Sequence, residues 1–386
     1  MIRLKKDDGS NYPEWEEKTL AEISTRIRRK NSNNETDIPL TISSVDGLVN
    51  QKEYFNKIVA SKDMSGYYLL KKDEFAYNKS YSKGFDFGSI KRLTKYEQGA
   101  LSTLYICFDI NKEINKDFIS WYFDSQKWTK EVSKYCAEGA RNHGLLNISP
   151  DDFFKIKIKL PVSIEEQQKI ADFLSSVGDV ITESEKEVVA LEEQKKGVMQ
   201  KIFSQEVRFK ADDGSDYPKW EEKVFTEIFE PIATKSYQIQ TSECLDSGTY
   251  EVVDQGQSRV SGYSNLSDKV FNELPIIVYG DHTTIVKYRI KEFIIGADGT
   301  KLLRNKNEDD DLKYLFYCLC KNNVPQQGYK RHFSDLKKKK MPIPCSEEQQ
   351  KIANFLSDFD TAIDLAKQEL EQWKELKKGL LQQLFE

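Results

Sequence analysis

Glu165-Glu166-Gln167-Gln168-Lys169-Ile170-Ala171 returns 182 positions later as Glu347-Glu348-Gln349-Gln350-Lys351-Ile352-Ala353, and the match runs on without a gap. Phe173-Leu174 reappears as Phe355-Leu356, Ile181 as Ile363, and Lys195-Lys196-Gly197 as Lys377-Lys378-Gly379. An internal repeat decides architecture before any single motif does. Both copies predict long helices. Alternating four- and three-residue steps pick out Ile170, Leu174, Val177, Ile181, Ser184, Val188, Leu191, Lys195, Val198 and Ile202 in the first copy. In the second they pick out Ile352, Leu356, Phe359, Ile363, Ala366, Leu370, Trp373, Lys377, Leu380 and Leu384. This is a heptad seam, and neither run holds a proline. A helix of about 40 residues is ~60 Å long, too long for an ordinary globular element, so the two seams are expected to pack on each other. The lysine at the equivalent place in each seam costs stability and can fix register.

A second repeat frames the first. Ile2 to Lys18 returns as Val207 to Lys223, at an offset of 205, and carries Asp-Asp-Gly-Ser and Tyr-Pro in both copies. These are turn residues, and the alternating acidic ligands and closing glutamate of a calcium loop are missing. Between cap and helix lie two blocks rich in aromatic and β-branched residues, punctuated by glycine and asparagine, which predict α+β domains. In the first, Leu101–Phe108 reads as a strand, Lys116–Tyr135 as a helix, and Phe154–Leu160 as a strand with one lysine-lined face. In the second, Ile276–Tyr279 and Phe293–Ile295 read as strands and Asp311–Cys320 as a helix; Lys337-Lys338-Lys339-Lys340-Met341-Pro342 leads into the second long helix. The order is cap, domain, helix, twice over. It predicts domains at 1–162 and 207–345 and spacer helices at 163–206 and 346–386. The second helix must run back antiparallel, bringing Phe385 to the first cap as Phe203 meets the second. The expected object is pseudo-two-fold symmetric, two globular heads joined by an antiparallel coiled coil.

The net charge of −5 is unevenly spread: residues 163–206 carry ten acids and five bases, and residues 346–386 carry nine and five. The acidity therefore belongs to the helices, and the rest of the chain is mildly basic. No apolar run has membrane-spanning length, and no signal peptide precedes Met1-Ile2-Arg3, which leads us to expect a soluble, cytoplasmic protein. The six scattered cysteines form no CxxC pair and read as reduced thiols.

Two unlike heads alternating with two near-identical helices, each helix opened by a proline and then Glu-Glu-Gln-Gln-Lys-Ile-Ala, resemble the specificity subunit (HsdS) of prokaryotic type I restriction-modification systems over the whole chain. The resemblance implies that each head is a target recognition domain reading one half of a bipartite DNA site, with the helices as a ruler for the gap. It implies no catalysis in this chain and no cofactor of its own. Two methyltransferase (HsdM) subunits would bind S-adenosylmethionine, and restriction/translocase (HsdR) subunits, recruited through them, would use ATP and Mg. Two readers on one duplex face sit about one helical turn apart, ~34 Å, or a multiple of it, and a rigid spacer can impose that. The first head is 23 residues longer than the second, which predicts an asymmetric target; the resemblance further implies a role in DNA methylation and host defence.

Arginine and lysine pair with guanine or phosphate, and asparagine and glutamine with adenine, so basic and amide residues on predicted loops are the candidate DNA contacts. Gly139-Ala140-Arg141-Asn142-His143 is echoed by Gly328-Tyr329-Lys330-Arg331-His332, both ahead of the basic strand. Lys79, Ser80, Tyr81, Lys83 and Arg92 are further candidates in the first head. Gln255, Gln257, Ser258 and Arg259 lie on a glycine-containing turn of the second, with His282, Thr283 and Lys301 on turns after strands. No Walker A, HExxH, GxSxG or methyltransferase-type Asn/Asp-Pro-Pro-aromatic motif occurs. Two alternatives stay open. One is a coiled-coil scaffold with protein- or sugar-binding heads, against which the repeated lysine strands count. The other is a nuclease site at Asp151, Lys155 and Lys157.

Overall fold

The computed structural model describes residues 2–55, 60–136, 141–142, 145–296, 299–328 and 330–386. The chain divides within each long helix, so that one unit is Met1–Glu185 with Glu369–Glu386 and the other is Lys186–Gln368. The helices themselves run over Ile164–Phe203 and Ser346–Leu384. Every seam position is buried or half-buried. In the first unit Leu174 shares a core with Leu384 while Glu185 pairs with Lys374 at 2.9 Å. In the second, Glu192 meets Lys367 at 2.6 Å and Lys195 meets Asp360. Partner numbers fall as helix numbers rise, so the segments are antiparallel in each unit. The seam lysines end on aromatics: Lys377 lies 4.5 Å from the Trp121 ring and Lys195 lies 5.0 Å from the Tyr317 ring.

The repeated heptapeptide is a clamp. Glu166 and Glu348 are fully buried, which a carboxylate tolerates only when paired and hydrogen-bonded. The Trp15 and Trp220 indoles donate to them at 3.1 and 2.8 Å, and the Arg3 and Arg208 guanidiniums at 3.3 and 2.6 Å. The same guanidiniums hold the Pro13 and Pro218 carbonyls of the Tyr-Pro turns. One residue on, Gln167 donates to Pro161 O and accepts from Asn115 N, while Gln349 donates to Pro344 O and accepts from Asp311 N. Asn115 and Asp311 are themselves the N-caps of the domain helices Lys116–Asp124 and Leu312–Asn322. Lys169 and Lys351 finish the clamp on Asp7 and Asp212 of the turns. As expected of Asp-Asp-Gly-Ser, these are tight turns, with Gly9 and Gly214 at φ 83° and 85°.

Each unit then builds an antiparallel four-stranded sheet. In the first its order is Ser24–Arg26, Ile106–Ile110, Phe75–Asn78, Ser89–Arg92; in the second, Phe229–Ile232, Thr300–Asn305, Ile276–Gly280, Val286–Arg289. Alternation sends Phe75 and Tyr77 to the core shared with Ile170, Leu174 and Phe385, and Ala76 to a second core against the sheet containing Pro39–Ser43 and Gln98–Leu101. The second unit has the same two layers, with Ile277 and Tyr279 on one side of the strand and Val278 on the other.

Three sequence expectations change. Leu101–Phe108 is not one strand: Leu101 ends a strand of one sheet, Tyr105 N turns back to Ser102 O at 3.2 Å, and Ile106 begins a strand of the other. The helix from Lys116 stops at Asp124, because Gln126 is left-handed at φ 60° and the buried Trp128 indole bonds Phe123 O at 2.8 Å. The lysine-lined strand is shorter, Lys157–Leu160, and pairs with cap strand Glu16–Thr19, where Glu17 meets Lys157 at 2.5 Å. Lys340–Ile343 pairs with Glu221–Val224 in the same way.

Glu348→Ala is expected to strand Arg208 and Trp220. Removing one member of a buried pair costs 3–5 kcal/mol; Arg208 keeps 26% of its side chain exposed, which lowers the expected loss to about 2 kcal/mol. Urea denaturation of Glu348→Ala, Arg208→Met and the double variant measures it, and the double variant should lose less than the two singles added.

Candidate nucleic-acid interface

Strand register brings the candidate loops to one end of each sheet. In the first unit Arg26 lies opposite Phe108, Phe108 opposite Phe75, and Ile106 opposite Tyr77. Strands Ser24–Arg26 and Phe75–Asn78 therefore run off the same end. Lys79, Ser80, Tyr81 and Lys83 follow immediately: Tyr81 and Lys83 are exposed, Lys79 and Ser80 half-buried. Leu146 N donates to Lys79 O at 3.0 Å, which draws in the two-stranded hairpin Arg141–Asn142 with Leu145–Leu146. His143 lies outside the described residues. Arg92 does not join this group. It is in register with Phe75, at the far end of the sheet, and its guanidinium is bound by Asp73 at 3.2 Å and Asp117 at 2.8 Å.

The second unit repeats the plan. Ile232 pairs with Leu302, Leu302 with Val278, and Gly280 with Thr300, so the turn after Gly280 sits beside Gly299 and Lys301. The Gln255 side chain accepts from His282 N at 3.0 Å, and its carbonyl accepts from the Thr283 hydroxyl at 2.5 Å. Gly299 is left-handed at φ +86°, and a Cβ there would lie 2.8 Å from both Gln255 Nε2 and His282 Cδ2. Asp281 O accepts from His332 N at 2.8 Å and lies 3.1 Å from His332 Nδ1; His332 Nε2 accepts from Gln327 N at 3.0 Å. Nε2 being an acceptor, the ring is the neutral Nδ1–H tautomer. His332 is 1% exposed: it braces the loops and presents nothing to a ligand.

Among these residues the structure separates braces from presented groups. Gln255, His282, Thr283 and His332 hold loop to loop. Gln257, Ser258, Arg259, Lys330 and Arg331 are exposed, and Lys301 is half-buried with its ammonium 5.9 Å from the Phe333 ring. Lys330 also pairs with Asp335 at 3.1 Å. The two Gly-x-basic-x-His stretches stand at unequal distances from the strand that follows, and Gly139, Ala140, His143 and Tyr329 lie outside the described residues. His332 stands eight residues before strand Lys340–Ile343 and His143 fourteen before Lys157–Leu160.

Sequence reasoning missed three features. Lys287 donates to Asp254 O at 2.9 Å and Ser258 O at 2.6 Å, closing the loop that carries Gln257 and Arg259; burial holds its ammonium below the usual lysine range. Lysine in an alternating strand carries no signal for this. Asp281 accepts from Phe333 N at 2.8 Å besides His332. Arg26-Ile27-Arg28-Arg29-Lys30 follows the edge strand to the same sheet end, and a scan for charge runs finds it. Two earlier arguments weaken. One lysine of each lysine strand meets a cap glutamate, Lys157 with Glu17 and Lys340 with Glu222, so these strands count less against a scaffold. Lys155 and Lys157 are paired with Asp152 and Glu17, which removes them from the nuclease reading at Asp151.

The family model for the type I restriction modification DNA specificity domain matches residues 12–193 and 217–375, and the chain belongs to that family. The putative type I restriction enzyme MjaX specificity subunit of Methanocaldococcus jannaschii is 26% identical over 282 residues, 66% of this chain and 64% of that protein's length. The type I restriction enzyme MjaVIII specificity subunit of the same organism is 26% identical over 322 residues, 75% of this chain and 74% of its own. The fold is that of the type I restriction-modification S subunit from M. genitalium, with a TM-score of 0.57 at 16% identity, covering 100% of this chain and 99% of the other. A chain from a type I restriction-modification structure on complex assembly and conformational transition gives a TM-score of 0.56 at 17% identity, covering 97% and 98%. No described helix is long and apolar enough to cross a membrane.

Lys287→Met removes two charged hydrogen bonds from the Asp254–Ser258 loop. Each contributes about 1.5 kcal/mol, about 3 kcal/mol together, so local opening should rise about a hundredfold. Limited trypsin digestion reads this as faster cleavage after Arg259 with cleavage elsewhere unchanged.

Proposed function

We propose that this chain is the non-catalytic subunit through which a type I restriction-modification enzyme recognises double-stranded DNA. Residues 1–162 and 207–345 would be its target recognition domains, and 163–206 and 346–386 its spacer helices. The observation that carries this reading is the common sheet end, where each unit collects loops presenting basic, amide and hydroxyl groups. Such groups suit base edges and phosphates. The unlike loops of the two units favour unlike half-sites, hence an asymmetric bipartite target whose gap the helices measure.

The acidic, glutamine-rich outer faces of the helices are the docking surface proposed for two methyltransferase subunits, with restriction subunits joining through them. S-adenosylmethionine, ATP and Mg would be bound by those partners. Because the chain is net acidic, the partners would supply much of the phosphate contact, and the isolated chain would bind DNA weakly and with strong salt dependence.

Co-expression with the methyltransferase subunit and mapping of methylated adenines in the host genome tests this. The expected result is one bipartite motif with a fixed gap, altered when one heptad is deleted from both helices. A stable complex that methylates nothing would leave the scaffold reading in its place.

A further inference from the structure

We propose that Arg26 and Arg28 of the first unit form a phosphate-binding ridge that contributes directly to the salt dependence of DNA binding. The inference rests on the DNA-recognition reading and assigns part of that work to named residues. Four of the five residues 26–30 are basic, the densest such cluster in the first unit. Strand register carries the segment to the end of the sheet where Lys79 and Lys83 emerge, with one strand between, hence about 10 Å apart. Arg26 and Arg28 are two residues apart and share a strand face. Ile27 N still bonds Cys107 O at 2.8 Å, so the extended backbone continues past Arg26.

Their neighbours are occupied. Arg29 pairs with Glu74 at 2.7 Å, and the Lys30 ammonium lies 4.0 Å from the Tyr68 ring centroid. Among the described residues no ion pair engages Arg26, Arg28, Lys79 or Lys83. The second unit engages more of its site charge internally, leaving Arg331 and Lys301 outside any ion pair among the described residues. Its equivalent edge strand reads Phe229-Glu230-Pro231-Ile232, Lys287 is consumed inside the loop it closes, Lys330 pairs with Asp335, and Arg259 lies 3.9 Å from Asp364. Charge on an edge strand also guards against edge-to-edge pairing. Proline serves that purpose in the second unit; in the first, a loss confined to aggregation would mark the arginines as edge guards only.

Non-specific binding is essentially all electrostatic, and log K falls with log salt at a slope of about 0.9 per phosphate contact. The test therefore needs no knowledge of the target. The full chain, in complex with its methyltransferase subunits, is titrated with a mixed-sequence DNA duplex over a range of KCl. Arg28→Gln should reduce the slope by about 0.9 and the Arg26→Gln, Arg28→Gln double variant by about 1.8. Arg26→Lys with Arg28→Lys should retain it. Lys112→Gln, an exposed residue beyond the opposite end of the same sheet, should leave it unchanged. If the double variant does not fold, the exposed Arg28→Gln decides alone. A wild-type slope in these variants, with or without aggregation, overturns the ridge. Failure of the wild-type complex to bind duplex, or binding without salt dependence, overturns the DNA-recognition reading instead.

Discussion

A carboxylate fully withdrawn from water is the constraint on which this chain depends. Glu166 and Glu348 have no access to solvent, and the cost of that burial is offset only if an arginine and a tryptophan from the cap arrive together. Each glutamate therefore ties the start of a long helix to a cap more than a hundred residues earlier. The adjacent glutamine ties the same helix turn to the proline before it and to the N-cap of the domain helix. Three segments distant in sequence are fixed by one helical turn. What lies between cap and helix is left free, and the two units differ there by 23 residues without disturbing the frame.

That frame explains why the variable loops converge. Once the cap strand is paired with the strand leading into the helix, the next strand is delivered to the edge of the four-stranded sheet. The loops after the first and third strands of that sheet then emerge at one end. In the second unit the loops are further stitched together by Gln255, the His282 backbone amide, Thr283, His332 and Lys287. A surface meant to discriminate between bases benefits from such bracing, because presented groups held in one geometry lose less freedom on binding.

The seams solve a different problem. Lysine at a buried seam position is costly, yet each has an aromatic ring from the domain helix beneath it, and Lys195 also meets Asp360, which in turn accepts from the Tyr317 hydroxyl. Burial holds Lys377 below the usual lysine range. A one-turn slip of the helices would leave these ammoniums without their partners, so within each unit the polar residues favour a single register.

The architecture was legible because it is periodic. Heptad spacing, two offsets of 182 and 205, and proline placement determined the helices, their direction and the order of elements. The helix break at Gln126 and the turn at Ser102–Tyr105 were not legible, because apolar aromatic runs read alike whether one element or two holds them. The site was half legible. Residue types marked Gln257, Arg259 and Arg331 as candidates, but nothing in spacing alone distinguished them from His332, which the structure buries, or Arg92, which it pairs with two aspartates. Lys287 and the arginines at 26 and 28 were overlooked for the converse reason. Whether a polar side chain is consumed internally or left for a ligand depends on which strands are neighbours, and paired residues in these strands lie 29 to 86 positions apart. The sequence alone determined the repeat and the helices; only tertiary pairing decided which charges were spent in holding the fold and which were left to meet a partner.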